Sequence, residues 1–166
     1  MADNLVARHR WLSLRTGLYD EPYVMSSPGV QIVPVNAAGE VLFIVEPTVP
    51  TGELVLTIPG GGVDGDEDHQ IAANRELQEE IGFKAQRLDY LGVLNPETRH
   101  TVWPVHLYLG RDLVESHLQG DEEHAIQIEA LPLATFPTLM KSRRLNDAII
   151  IAALYMARDL IQQETL

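Results

Sequence analysis

The stretch that decides the fold runs from residue 61 to residue 83 and reads GGVDGDEDHQIAANRELQEEIGF. It begins in a glycine-rich turn, continues with helical periodicity over 67–81 and reaches Gly82, a residue type that commonly ends helices. Side chains suited to cap the helix N-terminus stand just before it, at Asp64, Asp66 and Asp68. The stretch therefore predicts a glycine-rich turn that leads directly into a helix.

The predicted helix has an apolar side and an acidic side, at about 100° per residue. The side expected to pack carries Ile71, Leu77 and Ile81. The opposite side carries three carboxylates at i, i+3 and i+4, which belong to Glu76, Glu79 and Glu80. Carboxylates this close repel each other at neutral pH unless protons or cations relieve the repulsion. An oxygen-only donor set suits a hard divalent cation such as Mg²⁺ or Mn²⁺.

A cation site beside a glycine-rich turn is suited to a pyrophosphate, since divalent ions stabilise the charge that develops when water attacks phosphorus. The alternative is a solvated acidic helix face. Such a face usually interleaves lysine or arginine at i±4, whereas this helix carries Arg75 and no lysine. The pattern therefore favours a metal-dependent site over an ordinary surface.

Outward from this stretch, apolar runs predict an α/β chain. Residues 30–35 and 41–45 are expected to form a β-hairpin around the turn at 36–39, with Pro34 making the first strand an edge or interrupted one. Further strands are predicted at 54–58, 88–94, 101–109 and 126–131. A closing helix is predicted at 146–162, and the whole chain is expected to be one domain over 1–166, with a short β-rich section at about 1–28.

Composition limits the classes of function. The 166 residues include 12 basic and 24 acidic side chains, a net charge of −12, which argues against binding nucleic acid through its phosphates. There is no cysteine, so disulfides and thiolate ligands are excluded. No run approaches the roughly 20 apolar residues of a membrane span, and the amino terminus lacks the apolar core of a signal peptide. We therefore expect a cytoplasmic protein without a membrane partner.

The spacing within 61–83 resembles the Nudix box of the Nudix hydrolases. The matching positions are Gly61, Glu67 and the run RELQEEIG at 75–82, and Phe83 stands where a smaller aliphatic residue is usual. The resemblance implies an α/β/α sandwich around a mixed β-sheet. It also implies a hydrolase of acid anhydrides that depends on Mg²⁺, with Mn²⁺ as a possible substitute.

The same resemblance implies roles for individual residues. Glu79 and Glu80 would bind the metal, and Glu76 would be a ligand or would position the attacking water. The backbone carbonyl of Gly60 would complete the coordination, and Arg75 would hold Glu76 by charge-assisted hydrogen bonds. The substrate would lie against the backbone of the turn, at Gly61 and Gly62.

Two segments outside the box are further candidates. The acidic segment 121–124 precedes a strand-like run, as does a late loop that supplies a general base or an extra ligand in several Nudix branches. Glu122 and Glu123 are thus candidate catalytic residues, with His124 and a plain acidic turn as alternatives. Arg99 is a candidate substrate-binding residue, or part of an ordinary turn. Trp103, Tyr90 and Tyr108 could stack on a base, although aromatic residues in strand-like runs are more often core.

Beyond the box, the chain looks like the ADP-ribose and ADP-compound pyrophosphatase group. The shared features are the entry IPGGGVD at 58–64, Pro96, the segment 111–123 and the long closing helix. Thr57 departs from the group, because many members carry a glutamate there.

This second likeness implies cleavage of ADP-ribose or an ADP-sugar to a nucleoside monophosphate and a sugar phosphate, by a homodimer. Two other functions remain open. One is hydrolysis of nucleoside triphosphates or dinucleoside polyphosphates, and the other is a ligand-binding module on the same fold.

Overall fold

The computed structural model describes residues 4–120 and 126–165. Its strands are β1 (Asn4–His9), β2 (Leu12–Thr16), β3 (Pro22–Ser26), β4 (Gly29–Pro34), β5 (Glu40–Pro47), β6 (Leu54–Thr57), β7 (Gly60–Gly62), β8 (Phe83–Leu94), β9 (Thr101–Val102), β10 (Val105–Glu115) and β11 (Gln127–Pro132). Its α-helices are α1 (His69–Glu76), α2 (Phe136–Lys141) and α3 (Ala148–Glu164). A π-helical turn, Leu77–Ile81, continues α1.

Two sheets form the central layer between α1 and α3. One has the order β7-β4-β10-β8, in which β4 and β10 are parallel and the other pairs antiparallel; the other is the antiparallel sheet β11-β5-β6. Alternate residues of β4 face opposite sides: Val30 and Ile32 pack with α1, whereas Val33 packs with α3. Helices on both faces of a mixed layer confirm the expected α/β/α sandwich.

The predicted hairpin is wrong, because residues 30–35 and 41–45 belong to different sheets. Only an isolated bridge between Val35 and Val41 joins them, because β4 pairs with β7 and β10 and β5 pairs with β6 and β11. The turn at 36–39 does form, with Asn36 Oδ1 accepting bonds from two backbone N–H groups. Pro34 cannot donate to a ladder, and β4 ends there, so the chain passes from one sheet to the other.

The helix in the central stretch begins at His69, two residues after the predicted start at residue 67, and ends at Ile81 as its sequence predicts. The Asp68 side chain caps it by accepting a bond from Gln70 N at 2.8 Å, and Gly82 ends it with φ +73°. Ile71, however, is 63% exposed and does not pack as predicted. It lies six residues, about 120° around the helix, from Leu77, and the small side chains of Ala72 and Ala73 fill the interface instead.

The amino-terminal strands form a separate sheet, β1-β2-β3-β9. Its last strand is contributed by the predicted run 101–109, which breaks at Trp103–Pro104 into β9 and β10. A proline lacks the donor that a continuous central strand needs. The interruption leaves Trp103 between two strands of different sheets.

The closing helix, predicted at 146–162, is α3. Asp147 caps it by accepting bonds from Ile149 N and Ile150 N at 2.8 and 3.0 Å. One face of α3 is buried against the central layer, through Ile149, Ile150, Ala153, Leu154 and Ala157. Within the described ranges, no helix has the length and apolar character needed to cross a bilayer.

Candidate active site

A cleft of about 920 Å³ opens where β7 meets the carboxyl end of α1. Its lining includes the three glutamates of the helix, Arg75 and all three glycines of β7. The volume is in the range of sites that take small-molecule ligands. The structure thus brings together seven of the residues that the sequence assigns to a site, namely Gly60, Gly61, Gly62, Arg75, Glu76, Glu79 and Glu80.

The glycine strand β7 presents backbone polar groups to the helix. Alternate residues of an antiparallel strand turn their N–H and C=O away from the partner strand, and in β7 these are Gly60 and Gly62. The N–H of Gly60 donates to Glu80 Oε2 at 2.9 Å, and the carbonyl oxygen of Gly62 accepts from Arg75 Nη2 at 2.9 Å. The carbonyl of Gly60 lies on the same strand edge as its N–H, which is the edge that faces the carboxylates.

Arg75 joins the turn to the helix with all three guanidinium nitrogens. Nε and Nη2 donate to the two carboxylate oxygens of Glu67 at 3.2 and 3.1 Å. Nη1 donates to Glu76 Oε1 at 2.8 Å and to Glu79 Oε2 at 3.1 Å. The paired contact with Glu67 is the fork geometry that arginine forms and lysine does not.

These contacts change the ionisation of the pair. Hydrogen bonding from Arg75 holds the pKa of Glu67 below its usual value, and hydrogen bonding to Glu67 raises the pKa of Arg75. Both groups are therefore charged throughout the neutral range. Glu67 fixes the guanidinium, and the guanidinium in turn fixes Glu76 and Glu79.

Glu76 is the most buried of the three glutamates, with 8% of the residue exposed. Its carboxylate lies directly on the backbone of Gly61: a Cβ atom added at residue 61 would stand 2.4 Å from Glu76 Oε1 and 2.6 Å from its Cδ. Real Cβ atoms essentially never come so close. Only glycine at residue 61 allows this carboxylate to occupy the floor of the cleft.

The donor set fits a hard divalent cation by its chemistry, because carboxylate and backbone carbonyl oxygens are the ligands such ions prefer. Across residues 4–120 and 126–165, no three acidic or histidine side chains are grouped as a metal centre. Glu76 and Glu79 instead share Nη1 of Arg75. The guanidinium thus supplies the positive charge between two carboxylates that would otherwise repel each other.

Three predicted residues are not placed in this cleft. Glu122 and Glu123 lie outside the described residues, as does His124. Arg99 lies in the turn between β8 and β9, where its backbone N–H donates to Glu97 Oε1 at 2.7 Å, and it does not line the cleft. The roles of these three residues stay predictions.

Two tryptophans line the cleft beyond the glutamates. Trp11, which the sequence did not single out, and Trp103 have ring centroids 5.5 Å apart and planes inclined by 46°. Trp11 is 56% exposed and belongs to the turn between β1 and β2, so no strand or helix periodicity points to it. Trp103 was one of three aromatic candidates in strand-like runs, and the other two, Tyr90 and Tyr108, do not line the cleft.

Comparison with known proteins identifies the family of this chain and several relatives. A model of the NUDIX domain matches residues 25–154. The chain is 30% identical over 142 residues to the ADP compounds hydrolase NudE of Escherichia coli (strain K12), covering 86% of this chain and 76% of that protein. It is 24% identical over 140 residues to the ADP-ribose pyrophosphatase of Bacillus subtilis (strain 168), covering 82% of this chain and 76% of that protein.

A solved structure shares the fold over nearly the whole chain. The crystal structure of an ADP compounds hydrolase superposes with a TM-score of 0.83 at 26% identity, covering 99% of this chain and 94% of the other. The family match includes β7, the helix with its three glutamates and most of the central layer. The chain therefore belongs to the Nudix family and is a hydrolase that acts on pyrophosphate bonds.

Proposed function

We propose that this protein is a Mg²⁺-dependent diphosphatase that hydrolyses ADP-ribose or an ADP-sugar to AMP and a sugar phosphate. The observation that carries the proposal is that Glu76, Glu79 and Glu80 all line one cleft of about 920 Å³, with Glu80 bonded to the backbone edge of β7. The names of two relatives, an ADP compounds hydrolase and an ADP-ribose pyrophosphatase, support the choice of substrate class.

In this proposal the three glutamates and the Gly60 carbonyl hold Mg²⁺, and Mn²⁺ can substitute for it. The bound ion would neutralise the pyrophosphate and lower the pKa of a water molecule. The protein's own contribution is orientation: Glu80 is fixed by the Gly60 N–H at 2.9 Å, and Glu76 and Glu79 are fixed by Arg75. Arg75 keeps its contacts to Glu67 and Gly62 through Nε and Nη2, so only Nη1 is shared with the other two glutamates.

The tryptophan pair supports an adenine nucleotide as the substrate. Trp11 and Trp103 offer large aromatic faces in the same cleft as the glutamates, and base–aromatic stacking contributes about 1–3 kcal/mol per base. The diphosphate would then lie against Gly61 and Gly62, and Glu122 or Glu123 remains the proposed general base.

A substrate panel tests the proposal. ADP-ribose, ADP-glucose, GDP-mannose, diadenosine triphosphate, FAD and deoxynucleoside triphosphates are each incubated with Mg²⁺ and with EDTA, and the products are separated by chromatography. We expect AMP and a sugar phosphate from the ADP compounds, and no turnover in EDTA. Turnover of the triphosphates alone would contradict the substrate assignment, and ligand binding without turnover of any compound would favour a binding module.

We further propose that the protein is a homodimer that associates through its amino-terminal sheet. That sheet and its turns leave large apolar side chains exposed by 37–58%, including Leu5, Val6, Leu14 and Leu18. Large apolar side chains exposed on one sheet favour an interface there, because extended exposed apolar patches mark protein interaction sites.

The association can be measured by light scattering. We expect a mass near twice 18.5 kDa for the wild-type protein and a monomer for Val6→Glu. Leu54→Glu, which changes an apolar side chain that is 66% exposed on a different sheet, is the matched control and should leave the dimer intact. A monomeric wild-type protein would contradict this assignment.

A further inference from the structure

The segment that follows β10, residues 116–120, lies against the last turn of the glutamate helix. The backbone N–H of Ser116 donates to the carbonyl oxygen of Gly82 at 2.9 Å, and the N–H of Leu118 donates to that of Gln78 at 3.2 Å. Neither contact is between neighbours in the sequence. The end of the helix is therefore held by a distant part of the chain.

The helix needs such donors because of how it ends. The last carbonyls of any helix have no partner within it, and here the final turn is π-helical, with the Gly82 N–H bonded to the carbonyl oxygen of Leu77. Segment 116–120 supplies N–H groups to two carbonyls in this region. Glu79 and Glu80 belong to the same turn, so the segment caps the part of the helix that carries them.

Side chains strengthen this contact. Gln78 Nε2 donates to Ser116 Oγ at 2.8 Å, across 38 residues of sequence. The imidazole of His117 lies on Gly82, where an added Cβ would stand 2.1 Å from a ring carbon. Gly120 lies on Glu79: a Cβ at residue 120 would be 3.4 Å from Glu79 Cβ and 3.5 Å from its carbonyl oxygen.

The two sides of this turn face different surfaces. Glu79 and Gly120 line the cleft, whereas Gln78 and Leu118 line a second groove, and Arg75 borders both. Ser116 and Leu118, which bond to Gln78, therefore hold this turn although neither residue lines the cleft. Gln78 and Glu79 are adjacent in the sequence, so bonds that restrain the backbone of Gln78 also restrain that of Glu79.

We propose that Ser116 and Gln78 are positioning residues for catalysis, and that segment 116–120 fixes the direction of Glu79 toward the divalent cation. This inference rests on the proposed function, because it assigns Glu79 to the metal. Groups that orient a metal ligand typically change metal affinity or activity 10–100-fold when they are removed. A purely structural contact would change stability alone.

The test measures metal binding directly, by electron paramagnetic resonance of Mn²⁺ titrated into the 166-residue protein without substrate. We expect Ser116→Ala and Gln78→Met each to raise the Mn²⁺ dissociation constant about 10-fold. Because the two side chains act as one unit, the double variant should have the same Mn²⁺ dissociation constant as either single variant. With ADP-ribose at saturating Mg²⁺, kcat should fall about 10-fold, while KM should stay within about twofold because neither Ser116 nor Gln78 lines the cleft.

Two further variants separate positioning from folding. Ser116→Thr keeps the hydroxyl and should restore most of the Mn²⁺ affinity. Ser142→Ala removes a serine hydroxyl that donates to the Leu139 carbonyl oxygen at 3.0 Å beyond α2, and should bind Mn²⁺ as the wild type does. A lower melting temperature in Ser116→Ala with unchanged Mn²⁺ affinity would overturn the proposal. If the wild type hydrolyses no ADP compound, the proposed function fails, while the Mn²⁺ comparison still decides this inference.

Discussion

Replacing Glu80 by glutamine should lower kcat at least about 1000-fold, equivalent to about 4 kcal/mol of transition-state stabilisation. Glu80 Oε2 accepts the Gly60 N–H at 2.9 Å, and the carbonyl oxygen of a glutamine can accept the same bond. The substitution therefore removes the negative charge and keeps the local geometry. If Glu80 binds the cation, the loss of its charge weakens the site where the pyrophosphate is cleaved.

The measurement is kcat with ADP-ribose at saturating Mg²⁺, together with circular dichroism and thermal unfolding to establish that Glu80→Gln is folded. Glu53→Gln is the matched control, because Glu53 is an exposed glutamate just before β6 and does not line the cleft. It should have wild-type kcat. A Glu80→Gln variant whose kcat stays within tenfold of the wild type would show that Glu80 is not a metal ligand.

The second large effect is expected at Gly61. In Gly61→Ala the new methyl group would stand 2.4 Å from Glu76 Oε1, so either the carboxylate or β7 has to move. Overpacking of this kind typically costs about 1–3 kcal/mol of stability. Displacing Glu76 also separates it from Arg75 Nη1, which it now contacts at 2.8 Å. We expect kcat to fall about 100-fold, in line with the cost of misplacing a reacting group by about 1 Å.

Urea unfolding and kcat with ADP-ribose report the two consequences of Gly61→Ala separately. Gly62→Ala is the matched control for stability, because a Cβ at residue 62 meets no atom within 4 Å and the residue belongs to the same strand. Gly62→Ala should keep the wild-type free energy of unfolding. Wild-type kcat in Gly61→Ala would mean that the position of the Glu76 carboxylate against β7 is not needed for turnover.

The local part of the site could be predicted from the sequence because its geometry is set within one short segment. The cap at Asp68, the end at Gly82 and the spacing of the three glutamates depend on helix geometry alone. The same holds for Arg75, one residue from Glu76, although its bonds to Glu67 and Gly62 required the folded turn.

Pairing between distant segments could not be predicted in this way. β4 and β5 have the apolar pattern of a hairpin, yet each pairs with other strands, because strand pairing depends on which edges the whole fold brings together. The predicted burial of Ile71 was wrong for a related reason. A helix buries the residues that fit the facing sheet, and here the close approach at Ala72 and Ala73 decided which side packs.

The sequence alone determined the order and spacing of the chemical groups: three carboxylates and one arginine on a helix that follows a glycine turn. Covalent neighbours and helical spacing bring the carboxylates and the arginine together in any fold that forms the helix. Only the tertiary structure decided what surrounds them. Trp11 reaches the cleft from the amino-terminal sheet, and Ser116 reaches Gln78 across 38 residues. Such contacts form when tertiary packing joins segments whose separation along the chain carries no periodic signal.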